Sequence, residues 1–124
     1  ALTKNSAYTN VVMLLIGIND IATSVLKDST VARIQRYMNI AHGLGYTVIL
    51  GTLTAWSVDQ PSVDAFNVYY EANITPDVWV DFASNSDLNT WSATYFSDTV
   101  HPKDAGYRRM YQMVMTALVT LGIN

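Results

Sequence analysis

The sequence predicts an α/β fold with helices packed on a mainly parallel sheet. Three observations lead there: a non-alternating apolar run at Val11-Val12-Met13-Leu14-Leu15-Ile16, helical spacing of apolar residues in three later stretches, and short β-rich runs between the helical ones. The apolar run lacks the polar–apolar alternation of a strand with one wet face, so it reads as a central parallel strand covered on both faces and ending at Gly17.

After a loop, Asp28-Ser29-Thr30 offers N-cap residues, and Val31, Ile34, Tyr37, Met38, Ala41 and Leu44 follow on one helix face. Gly43 and Gly45 can end that helix, with His42 suited to its last carbonyls, and Tyr46 to Leu50 forms a second strand. Pro61 fits the first turn of a second helix bearing Val63, Phe66, Tyr69 and Tyr70, which Pro76 stops. Val78-Trp79-Val80-Asp81-Phe82 reads as a third strand, and the polar stretch from Ser84 to Ser97 has loop composition. Pro102 then opens a helix whose Tyr107, Met110, Tyr111, Val114, Ala117, Leu118 and Leu121 keep the 3.6-residue period up to Gly122. Asp81 is expected to order its loop, and Asp20 to serve a turn or cap.

At 124 residues the expectation is one domain over 1–124, and half the residues being hydrophobic separates the chain from disordered sequences. A net charge of -3, with scattered Lys and Arg, provides no footprint for nucleic acid. The absence of cysteine removes disulfides and thiolate metal sites, and His42 and His101 are the only histidines, so neither a metal nor another cofactor is expected. No glycine-rich phosphate loop occurs, and no apolar run reaches the roughly 18 residues that span a bilayer. Nothing near Ala1 reads as a signal peptide, and Asn73-Ile74-Thr75 is a glycosylation acceptor only in a secretory setting.

Two constellations carry chemistry. Gly17-Ile18-Asn19-Asp20 follows the first strand, at the carboxyl edge where open α/β sheets bind ligands. An Asn amide there can donate to a developing oxyanion, with Gly17 permitting the bend; a plain turn with an Asx cap uses the same residue types. Asp98-Thr99-Val100-His101-Pro102 closes the polar loop. An Asp three residues before a His can fold back on the imidazole, fix its tautomer and support its protonated form; the alternative is a helix-capping Asp beside an ordinary loop His. Trp56 and Trp91 could rim such a site and stack on a sugar or an acyl chain, or simply belong to the core.

The order of these blocks resembles the SGNH (GDSL-like) hydrolases. VVMLLIGIND is similar to the family's block for the oxyanion Asn, SDTVHPKDAGYRRM to its block for the catalytic Asp and His, and ILGTLT and VDFA to the strands between. The resemblance implies a flavodoxin-like three-layer α/β/α fold, here incomplete with about three strands and helices on both faces. It also implies a cofactor-independent serine ester hydrolase in which His101 is general base and acid, Asp98 orients it, and Asn19, supported by Gly17, binds the oxyanion. The implied substrate is a carboxylic ester, acylated carbohydrate included, in a secreted or periplasmic setting.

One departure stands out: the family's Gly-Asp-Ser nucleophile block and its second oxyanion donor have no counterpart before Val11. Ser6 lies in a polar leader, and Ser24, Ser57, Ser62, Ser92 and Ser97 have no nucleophile-turn context. A chain lacking that block would leave the strand Val11 to Ile16 with a bare edge, to be covered by the absent N-terminal half or by a second copy. The alternative function is a non-catalytic, truncated SGNH-like domain that self-assembles or binds glycan.

Overall fold

A computed structural model describes residues 8–123. Ser6 lies outside the described residues. The elements run β1 (Val11–Leu14), α1 (Ile18–Ala22), α2 (Lys27–Gly43), β2 (Thr47–Gly51), α3 (Gln60–Asn73), β3 (Val78–Val80), a 3₁₀ turn (Phe82–Ser84) and α4 (Asp104–Thr120). The three strands form one parallel sheet in the order β1-β2-β3, with Val11 opposite Thr47 and Ile49 opposite Val78. This is the expected incomplete α/β architecture.

Each face of the sheet has its own apolar core, which explains why β1 and β2 carry apolar residues without alternation. Val12, Leu14, Val48 and Leu50 pack against Ile34 and Met38 of α2 and Phe66 and Tyr70 of α3. On the opposite face, Val11, Met13, Ile49 and Val80 pack against Met110, Met113, Val114 and Ala117 of α4. β2 is the middle strand, and Val48, Ile49 and Leu50 are fully buried.

Several boundaries differ from the sequence reading. β1 ends at Leu14 rather than Ile16 and, among the described residues, it is an edge strand rather than a central one, with all four residues only partly buried. The apolar run reported cover on two faces, which periodicity detects, but not a neighbour in the sheet. The expected loop after it contains α1, too short for helical periodicity to register. α2 starts at Lys27, with Leu26 as N-cap, and buried Thr30 instead donates through Oγ1 to Asp20 Oδ2 at 2.7 Å, tying α1 to α2. β3 stops at Val80, because Asp81 turns the chain by accepting from Ser84 N–H. Pro102 bridges to Phe96 rather than opening α4, which begins at Asp104.

A set of exposed apolar side chains is spread over α2, the end of β1 and α4. On α2 it comprises Tyr37, Ile40 and Leu44, spaced along one side of the helix, and at the end of β1 it includes Leu15 and Ile16. On α4 it comprises Tyr107, Tyr111 and Met115, four residues apart; Thr116 and Thr120, on the helix's other side, line a groove with β3.

His42 does not cap α2 through its carbonyls. Its Nε2 lies 2.8 Å from Asp77 Oδ2, which also accepts from Val48 N–H at 2.7 Å, so the pair pins the end of α2 to β2 and to the entry of β3. Burial pushes the Asp77 carboxyl up, but the Val48 N–H and the His42 imidazole outweigh this and hold it below its ordinary value. A carboxyl whose pKa is lowered by folding stabilises the native state above its unfolded pKa and loses that contribution as pH falls through the folded value. Urea midpoints of wild type and Asp77→Asn should therefore differ at pH 6 and converge below about pH 4. A difference that stays constant down to pH 2 would contradict the charged contact.

Candidate active site

The site is assembled where the chain leaves the carboxyl ends of β1 and β2. Gly17 sits at φ +132°, a conformation that side chains rarely adopt, and a Cβ there would meet Phe66 Cζ at 2.8 Å. Its carbonyl accepts from Ile21 N–H at 3.0 Å and starts α1, which presents Asn19 in the first turn. Among the described residues the Asn19 side-chain amide makes no hydrogen bond with the protein, and it lines a cavity of about 280 Å³.

The segment after β2 forms another wall of that cavity, through Leu53, Thr54 and Trp56. Asn67 of α3 is buried, and its side chain accepts from Leu53 N–H at 2.8 Å and donates to Leu53 O at 3.0 Å. Ala55 N–H donates to Leu88 O at 2.7 Å, and Ser57 N–H to Thr99 O at 2.9 Å, so both the long loop and the Asp98–His101 turn are tied to this segment. On the other side Thr52 Oγ1 donates to Asp81 at 3.2 Å and accepts from Ala83 N–H at 2.9 Å.

The Asp98–His101 turn has the fold-back geometry that its spacing suggests. Asp98 Oδ1 accepts from Val100 N–H at 2.9 Å and His101 N–H at 2.7 Å, while Oδ2 lies 2.7 Å from His101 Nδ1. The backbone N–H groups of His101 and Val100, then the imidazole, pull the Asp98 carboxyl down to about 2. It is thus ionised at neutral pH and can only accept, so Nδ1 carries the proton. In the neutral imidazole, Nε2 is left with a free lone pair, and His101 lines the same cavity as Asn19.

The structure brings Asn19, Trp56 and His101 onto one cavity, with Asp98 behind His101 and Gly17 behind Asn19. Trp91 lies outside that lining: its indole N–H donates to the Asp98 carbonyl oxygen at 2.5 Å. Leu15, Thr54, Tyr107 and Met110 also line the cavity, and sequence patterning marked none of them as site residues. Gly106 was missed as well. A Cβ there would clash with Tyr95 O and Pro102 Cβ, so a Gly inside the first turn of α4 lets the loop lie on the helix. A glycine within a helix costs stability, and that cost is the signal that something approaches closely. No serine of the described residues lines the cavity; its hydroxyls are Thr54 and Tyr107. Among the described residues no cluster of His, Asp and Glu is arranged to hold a metal, and no helix is long and apolar enough to cross a membrane.

Gly17 and Gly43 make a matched test of this construction. Gly17→Ala should destabilise the chain by on the order of 2–4 kcal/mol, from backbone strain and from displacing Phe66. Gly43→Ala, in a helix with nothing within 4 Å of the new methyl, should be neutral or stabilising by up to about 1 kcal/mol. Urea unfolding reads both; equal effects would refute the strained turn.

No protein-family model matches the sequence, and no relative among curated proteins does. Solved structures do match. A GDSL-like lipase from Bacteroides thetaiotaomicron superimposes with a TM-score of 0.69 at 21% identity, over 90% of this chain. A "putative acylhydrolase" from Bacteroides fragilis does so with a TM-score of 0.70 at 23% identity, again over 90%. The chain spans 63% and 62% of those two chains, respectively. At these identities the likeness is one of fold: this chain shares the fold of part of each of those two proteins.

Proposed function

We propose that this chain supplies the acid–base pair and one oxyanion donor of a serine ester hydrolase, and that the nucleophile is not among residues 1–124. The observation that carries this reading is the Asp98 clamp, which leaves the Nε2 of His101 free on a residue that shares one cavity with Asn19. The names of the structural neighbours, a lipase and an acylhydrolase, favour the same reaction class.

In that reaction His101 Nε2 takes the proton of a serine hydroxyl as its oxygen bonds to the ester carbonyl carbon. The carbonyl oxygen becomes an oxyanion, and the Asn19 side-chain N–H donates to it. The imidazolium, supported by the Asp98 carboxylate, gives its proton to the departing alkoxide, and water then releases the acyl group by the same steps. The substrate class is a carboxylic ester, acylated carbohydrate included.

The nucleophile's route in is the unpaired edge of β1. A strand added there would extend the sheet, and its flanking helices would cover the apolar residues of α2 and α4. The same exposed apolar set favours a second reading: a non-catalytic domain that assembles with copies of itself along β1, or binds glycan at the cavity lined by Trp56.

Supplied with a nucleophile-bearing segment, the chain should hydrolyse p-nitrophenyl acetate. His101→Ala should abolish the activity, and Asn19→Ala should leave a rate roughly 10²–10³ lower than the intact enzyme. Negligible effects of both substitutions would exclude the assignment.

A further inference from the structure

The Asp98–His101 pair has almost no packing to hold it. The two side chains are 54% and 70% exposed, and residues 85–103 contain no helix or strand, only the Phe96–Pro102 bridge. Its geometry must therefore come from what grips the turn's backbone. Three carbonyls of the turn are gripped: Thr99 O by Ser57 N–H at 2.9 Å, His101 O by Ser97 N–H at 2.8 Å, and Asp98 O by the Trp91 indole at 2.5 Å. Of these, the Trp91 contact reaches in as a side chain from seven residues away.

We propose that Trp91 is a positioning residue for the Asp98–His101 pair, acting through the hydrogen bond from its indole N–H to the Asp98 carbonyl oxygen. This rests on the esterase reading of that pair. It replaces the role of substrate platform that the sequence suggested, since the ring stands outside the cavity lining.

The chemistry suits the task. An indole N–H only donates, so it cannot compete for the backbone N–H groups that Asp98 Oδ1 accepts. The side chain has two rotatable bonds and a rigid ring, so a fixed base gives a fixed tip. That base is anchored nearby. Leu88 is buried and its carbonyl holds Ala55 N–H, while Asn89 Nδ2 donates to Ala83 O at 2.9 Å. Trp91 thus carries the position of the sheet's loops to the one residue whose carboxylate must meet Val100 N–H, His101 N–H and the imidazole together. Loosening the Asp98 carbonyl would let the turn open, and the two N–H groups that hold its carboxyl near 2 would be the first to draw away from it.

Trp91→Phe keeps an aromatic ring and removes the donor. The test is to titrate carboxyl carbons by NMR in both proteins, with Asp77 as internal reference because its own partners, His42 and Val48, belong to other elements. The expected result is that Asp98 rises from about 2 toward the ordinary carboxylate range while Asp77 stays where it was. An unmoved Asp98 overturns the proposal, as does a joint shift of Asp98 and Asp77, which would mark general loosening. Should the variant not fold, the wild-type indole protons decide. The Trp91 indole N–H should exchange with solvent more slowly than the Trp56 indole N–H, which has no partner among the described residues, and equal rates would overturn the proposal. The titration reads the pair whether or not an ester is cleaved, so it can fail independently of the His101→Ala hydrolysis experiment.

Discussion

The short segment leaving β2 is held from every side, and the arrangement of the site depends on it. Thr52 is bound to Asp81 and Ala83 beyond β3, Leu53 to Asn67 of α3, Ala55 to Leu88 of the long loop, and Ser57 to Thr99 of the Asp98–His101 turn. A backbone group buried here without a partner would cost about 1–3 kcal/mol, so each pairing is a strong local constraint. Asn67 matters most, because one buried amide satisfies both the N–H and the C=O of Leu53. Through these bonds, loops without regular structure take on the rigidity of the sheet. The cavity can then be shared by residues as distant in sequence as Asn19 and His101.

The Asp98 turn applies the same economy on a smaller scale. One carboxylate accepts from two backbone N–H groups and the imidazole, which sets its charge, the His101 tautomer and the direction of the free nitrogen. All of this occurs at an exposed position, so it relies on hydrogen bonds rather than on a dry environment. A docked segment bearing a nucleophile would change that environment too. Burying Leu15 and Tyr107, which belong both to the cavity and to the exposed apolar set, would remove water from around His101 and strengthen each of these contacts.

The Asp98–His101 turn was legible in the sequence because its hydrogen bonds are local: two residues separate Asp98 from His101, and folding back is a short-range act. The strand and helix order was legible because both cores are built on strong periodicities. What escaped were features set by long-range contact. Asn67 looks like any polar residue on a helix, yet it is fully used by Leu53; Trp91 looks like a ligand platform, yet it holds a carbonyl. α1 is too short to show a period, and the neighbours of β1 in the sheet cannot be inferred from its own residues. Gly17 and Gly106 were open to a sharper reading, since glycine before a helix or inside its first turn implies a clash avoided, here with Phe66 and with Tyr95.

The central claim is that this chain holds the base and its orienting carboxylate without the nucleophile. A fluorophosphonate that labels base-activated serines, applied to the 124-residue chain and located by peptide mass spectrometry, tests it most directly. The account predicts no labelled residue that depends on His101. A serine or threonine, Ser6 and Thr54 included, that is labelled in the wild type and not in His101→Ala would contradict it and place a complete catalytic set within the chain.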